Sequence, residues 1–238
     1  MDAAEVFWTL HADLPREGVG SDATTRALLE LARPLTGNRA LDIACGPGRS
    51  ALVLAEAGFR VSAVDTHEPF LARVRAAAGD RTVTVERASM RELPYADGAF
   101  DLLWCEGAAY LMGVDAALTA WRRLLAPGGA LVFTEVGWTT TSPSAAARDF
   151  WTAYPAMRDE AATVAAAEAA GYEVLATHPL PESDWWDEYY TPLEARLDAW
   201  PAPDAQTAAT LAANRAEVDL RRAHPGDYGY VGYVLRRW

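Results

Sequence analysis

The chain has 238 residues, 51% of them apolar, and a formal charge of −12 at pH 7; that is long enough for a substantial core and too acidic for a partner held by neutralised phosphates, which argues against nucleic acid. All 21 basic residues are arginine, which removes Schiff-base chemistry, a pyridoxal phosphate anchor and a P-loop lysine together. Two cysteines are too few for a disulfide framework, and the four histidines (His11, His67, His178, His224) lack paired ligand spacing, so no metal is expected.

In chain order, Met1-Asp2-Ala3-Ala4-Glu5 is acidic and lacks the basic start of a secretory signal. No apolar run approaches the ~20 residues that span a bilayer, so a cytoplasmic protein without a membrane partner is expected. Residues 1–36 read as an N-terminal cap segment. A helix-compatible start holds Phe7, Trp8 and His11, Pro15, Gly18 and Gly20 break it, and Ser21 or Asp22 caps a helix that ends before Pro34. Residues 37–136 then alternate strands with helices. A strand ends at Asp42, followed by Gly46-Pro47-Gly48 and a helix over 51–57. A second strand over 60–64 ends at Asp65, with a helix over 70–78 stopped by Gly79. Strands follow over 81–87 and 102–105, then a helix opened by Asp115 and carrying Leu118, Trp121, Leu124 and Leu125. Pro127-Gly128-Gly129 is expected to end that helix and turn into a fifth strand over 130–135. This alternation predicts a parallel sheet wrapped by helices, with its ligand beyond the carboxyl ends of the strands. Residues 137–238 read as the substrate half. They hold a strand over 172–178, a helical insertion over 182–224 fronted by Trp185, Trp186, Tyr189 and Tyr190, and a last strand over 228–235. With no repeat and no linker, one domain is expected.

The chemistry centres on the first strand-turn-helix. Glycines bend the chain and let a ligand approach the backbone, and a carboxylate at the next strand end, Asp65, suits a ribose diol. Gly46, Gly48 and Ala51 also satisfy the dinucleotide pattern. Asp42 argues against that ligand, because a carboxylate beside the turn repels a pyrophosphate and suits a cation. Here the residues resemble the class I S-adenosylmethionine-dependent methyltransferases. The loop with Leu93-Pro94, Asp97-Gly98 and Phe100-Asp101 is similar to a segment of that family, with Ser89 where the family usually has an aspartate near the adenine amino group. The resemblance implies an α/β, Rossmann-like fold: a seven-stranded, mostly parallel sheet with an antiparallel last strand and a helical cap. It implies S-adenosyl-L-methionine as cofactor, bound by Asp42, Ala44, Cys45, Gly46, Gly48, Asp65, Ser89, Met90, Cys105 and Glu106.

A narrower resemblance, to a bacterial group of small-molecule methyltransferases, rests on four features. They are Phe7-Trp8-Thr9-Leu10-His11, Glu106-Gly107-Ala108-Ala109-Tyr110, Glu135 with Trp138, and the Trp185-Trp186…Tyr189-Tyr190 stretch before Pro192-Leu193. It implies methyl transfer to a small-molecule acceptor through O, N, S or C, of the kind met in secondary metabolism. Trp8, Tyr110, Trp138, Trp185 and Tyr189 are the expected substrate contacts. Glu106 and His11 are the candidate catalytic residues, with Glu135 as a further candidate base. A nicotinamide-dependent oxidoreductase and a non-catalytic cofactor-binding or interaction protein stand as competing readings. The acceptor atom and the oligomeric state stay open.

Overall fold

The computed structural model describes residues 1–154, 157–201 and 203–238. Side-chain caps set the first two helices. α1 (Ala3–His11) starts where the Asp2 carboxylate accepts from Glu5 N and Glu5 accepts from Asp2 N in return. α2 (Asp22–Ala32) starts where the Ser21 hydroxyl accepts from Thr24 N. The alternating part follows as β1 (Arg39–Ile43), α3 (Arg49–Glu56), β2 (Arg60–Asp65), α4 (Glu68–Ala78), β3 (Val83–Arg87), β4 (Phe100–Glu106), α5 (Val114–Arg122) and β5 (Leu125–Trp138). Beyond it lie α6 (Ala145–Trp151), α7 (Glu160–Ala169) and β6 (Tyr172–Pro179). The cap helices are α8 (Ser183–Trp185), a π-helical turn (Trp186–Tyr190), α9 (Thr191–Ala199) and α10 (Ala205–Ala223), and β7 (Tyr228–Arg237) closes the chain. No helix among the described residues is long and apolar enough to cross a membrane.

The seven strands form one sheet in the order β3-β2-β1-β4-β5-β7-β6. β1 to β5 pair in parallel, and β7 runs antiparallel to both its neighbours. From β1 the chain steps outward through β2 and β3, then returns to the other side of β1 as β4. Strand order therefore reverses between β1 and β4, and the crevice beyond their carboxyl ends is where such sheets take ligands. Successive side chains alternate between the two faces. Leu41, Ile43, Leu103, Cys105 and Leu131 pack against Trp121 of α5 in one cluster, and Ala40, Leu102, Trp104 and Val132 pack against Leu28, Leu54 and Leu71 in another. A third cluster joins Leu10 of α1 to Trp185, Tyr190, Leu193 and Val218 of the cap.

Two boundaries differ from the sequence expectation. α5 ends at Arg122, so Leu124 and Leu125 lie beyond the helix. Pro127-Gly128-Gly129 does not precede the fifth strand; it bulges within β5. Pairing passes from Phe100↔Leu125 to Leu102↔Ala130, leaving Asp101 alone opposite residues 126–129.

Gly48 is needed for packing. It caps α3 with φ +88°, and a Cβ there would lie 2.6 Å from Cγ2 of the buried Val74 on α4. Gly48→Ala is expected to cost about 1–3 kcal/mol of stability in urea denaturation, from left-handed strain plus overpacking; wild-type stability would show that α3 and α4 separate freely.

Candidate active site

The turn after β1 carries unusual backbone geometry. Ala44, Gly46 and Gly48 all have positive φ, at 56°, 53° and 88°. For an alanine this is strained, and such strain persists where surrounding structure enforces it. The turn floors a cavity of about 620 Å³. Asp65, at the end of β2, stands on its wall with both oxygens fixed: Oδ2 accepts from Gly46 N at 3.0 Å and Oδ1 from His67 N at 2.9 Å. Ser89 and Met90 form the far side, where Ser89 Oγ accepts from Arg91 N at 3.2 Å. Trp8 closes over the edge, its ring stacked on His67 at 3.9 Å.

Arg16 ties this cavity together. It is 5% exposed and donates to Glu106 Oε2 (2.8 Å), Asp22 Oδ1 (2.8 Å) and Glu188 Oε2 (2.9 Å). Burial alone would lower its pKa, but Glu106, Glu188 and Asp22 hold it above the ordinary guanidinium value. Glu106 also accepts from Thr25 Oγ1 at 2.7 Å and Trp104 Nε1 at 2.9 Å, both through Oε1. Both of its oxygens are therefore engaged by donors, and its side chain turns toward α2 and Arg16. That position suits a fixed negative charge and not a base free to take a proton.

Asp42 lies beneath the turn and does not border the cavity. Its Oδ2 accepts from Ser50 Oγ at 2.7 Å, while Oδ1 is buried with no partner. Burial pushes its pKa up to about 8; the Ser50 bond opposes this, and Glu106 and Asp65 add to it.

A second cavity of about 770 Å³ lies against the cap. Phe7, Glu17, Gly18, Val19, Gly107 and Tyr110 border both cavities and form the partition between them. Tyr110 stacks on Tyr154 at 4.1 Å, and Trp185 and Tyr189 form part of the second wall. Thus Ala44, Cys45, Gly46, Asp65, Ser89, Met90, Glu106, Trp8 and Tyr110 meet around the first cavity, and Tyr110, Trp185 and Tyr189 around the second.

Five expected contacts border neither: Asp42, Gly48, Cys105, Trp138 and His11. Gly48 faces Val74. Cys105 points to the opposite face of β4 from Glu106, fully buried. Trp138 packs with the cap cluster at the end of β5. His11 is wedged beside the stacked Phe7, with Nδ1 2.9 Å from Glu17 Oε2 and Nε2 3.1 Å from Asn214 Oδ1. The further candidate base, Glu135, is also buried off both walls; Oε1 accepts from Val136 N at 3.2 Å, and burial pushes its pKa up to about 7. Arg16 and Glu17 were not singled out by the sequence, because they sit in an irregular loop with no periodic signal. Their only sequence mark is charge between Pro15 and Gly18. Among the described residues no group of three His, Cys, Asp or Glu side chains is placed to hold a metal ion.

Residues 41–133 match the family described as "Methyltransferase domain". Among relatives of this chain, a cypemycin N-terminal methyltransferase from Streptomyces sp is 34% identical over 153 residues, covering 60% of each protein. The chain thus spans less than two thirds of that relative's length. A demethylmenaquinone methyltransferase from Clavibacter sepedonicus is 29% identical over 216 residues, covering 87% of this chain and 78% of that protein. A solved S-adenosylmethionine-dependent methyltransferase from Geobacter sulfurreducens, in complex with S-adenosyl-L-homocysteine, shares the fold. Its TM-score is 0.83 with 19% identity, over 98% of both chains.

Two outcomes test this site. Arg16→Met leaves Glu106, Asp22 and Glu188 without their common cation and is expected to cost about 3 kcal/mol in urea denaturation, with faster hydrogen exchange across residues 12–20. Asp42 has a signed pH effect. Its carboxyl ionises near 3.8 when unfolded but keeps its proton to about 8 when folded. Its contribution to stability is therefore present below about pH 4 and lost as pH rises toward about 8. Asp42→Asn keeps an oxygen for Ser50 and removes this ionisation. Its melting temperature should gain on wild type from pH 5 to pH 8, and a constant gap would show that Asp42 ionises freely.

Proposed function

We propose that this protein is a cytoplasmic S-adenosylmethionine-dependent methyltransferase acting on a small-molecule acceptor and not on nucleic acid. The observation that carries the reading is the pair of cavities sharing one partition. The first has a glycine-turn floor and a strand-end carboxylate; the second is large enough for a separate acceptor. The methyltransferases among its relatives support the same reaction class. The overall charge of −12 supports the exclusion of nucleic acid.

The wall chemistry fits the donor. Asp65 is held by two backbone amides with its remaining lone pairs available to a ribose diol. Glu17 and Glu106 add negative charge to the same wall, and the unpartnered Oδ1 of Asp42 lies beneath the turn. On this wall Arg16 and Arg49 are paired with carboxylates, and Arg91 donates to Leu111 O. Such a wall favours a cation and disfavours a pyrophosphate, which weighs against the nicotinamide reading. When bound, the donor supplies a sulfonium-activated methyl group. The chain's own part is to hold the acceptor in line and keep water out, and such positioning is worth several kcal/mol. Trp8 and the Arg16–Val19 segment cover the first cavity, while Trp185 and Tyr189 wall the second.

Calorimetry should show binding of S-adenosylmethionine and S-adenosylhomocysteine but not NADH, and transfer of labelled methyl to metabolite fractions should separate an enzyme from a non-catalytic binder. Asp65→Ala should weaken donor binding by about 2–3 kcal/mol, the scale for truncating a charged hydrogen-bond partner. Unchanged affinity in a folded Asp65→Ala protein would remove Asp65 from the ribose site.

A further inference from the structure

We infer that the second cavity recognises an organic ammonium group, so that the acceptor is an amine; this rests on the methyl-transfer reading above. The aromatic side chains Phe7, Tyr110, Phe150, Tyr154, Tyr189 and Tyr230 surround the space. Burial pushes the Tyr110, Tyr189 and Tyr230 phenols up, with nearby acids adding to it, so their rings stay neutral. Neutral aromatic faces attract a cation through the ring quadrupole, most strongly where water is excluded. The ionisable residues on this wall are those tyrosines and two acids, Glu17 and Glu217. Among the described residues no arginine or histidine borders it.

The two acids are differently placed. Glu217 projects from α10, and its Oε1 accepts from Tyr190 Oη at 2.9 Å. Burial pushes its pKa up, with the Tyr190 bond and the nearby His11 opposing that rise. Glu17 stands in the partition. Its Oε2 meets His11 Nδ1 at 2.9 Å, while Oε1 is buried with no hydrogen-bond partner. An unpartnered buried carboxylate oxygen costs free energy unless a donor reaches it. Asn214 donates through Nδ2 to Thr210 O at 3.0 Å, which turns its Oδ1 toward His11 Nε2. Both imidazole nitrogens therefore face acceptors, Glu17 Oε2 and Asn214 Oδ1. The open Glu17 oxygen among aromatic faces suits one N–H donor group of positive charge. An anionic acceptor would meet two acidic side chains and, among the described residues, no cationic side chain on this wall.

Glu17 also borders the first cavity, which places its side chain on the wall the two cavities share. A bound ammonium passes one N–H proton to Glu17 Oε1 and so exposes its lone pair. That pair forms the new N–C bond, the S–C electron pair stays on sulfur as a neutral thioether, and the Glu17 proton leaves to water.

The test uses benzylamine, benzyl alcohol and benzoate, similar in size and different in charge, titrated calorimetrically into the protein with and without S-adenosylhomocysteine. Benzylamine should bind at least about tenfold tighter than benzyl alcohol, with benzoate weakest. Glu17→Gln and Glu217→Gln, made separately, should each lower benzylamine affinity by about tenfold while leaving benzyl alcohol nearly unchanged. Equal affinities for the three probes, or benzylamine binding indifferent to both substitutions, would overturn the inference even where S-adenosylhomocysteine binds normally. Failure to bind S-adenosylhomocysteine, with benzylamine still selected in its absence, would overturn the methyl-donor reading and leave the ammonium site standing.

Discussion

The buried Arg16 guanidinium is the constraint on which the site depends. Its three carboxylate partners come from α2, β4 and the cap, so one side chain fixes the N-terminal segment against the sheet and the cap at once. A lysine could not do this, since a point-like ammonium cannot present a rigid fork to three separate acids. The hub also explains the role of Glu106. A carboxylate held by a guanidinium, an indole N–H and a hydroxyl is a structural anion at the cavity edge. Arg49, which borders the first cavity, extends the network to Asp22 and Glu188.

Much of the sheet was legible in the sequence because its signals are local. Asp65 and Gly46 could be read from a strand end and a turn, and the structure joins them by a single hydrogen bond. The last strand, expected over 228–235 from the family resemblance, is observed as β7 over Tyr228–Arg237. The sequence was less informative where geometry is set by distant partners. Arg16 finds Glu188 across 172 positions of sequence, and nothing near Pro15 signals that distance. Gly48 matched a ligand-binding pattern, yet the constraint on it is the Val74 side chain. Cys105 and Glu106 are neighbours in the chain, and strand alternation sends them to opposite faces. Trp104 and Glu106, two apart, share a face and a hydrogen bond.

The buried acids show how the fold tolerates electrostatic cost near its cavities. Asp42 and Glu135 are pushed up to about 8 and about 7 by burial. Neither has a cation within its hydrogen-bonded shell; Ser50 and the Val136 amide supply the donors seen for them. Such groups destabilise an otherwise well-packed sheet, and they concentrate where a charged ligand changes the balance. The stability of this part of the protein therefore depends on what occupies it.

The partition formed by Phe7, Glu17, Gly18, Val19, Gly107 and Tyr110 belongs to both cavities. A ligand that orders this thin wall from one side leaves less conformational freedom to be lost when the other side fills. Under the proposed function the two chambers are linked through this wall, and such a linkage has the same magnitude read from either chamber.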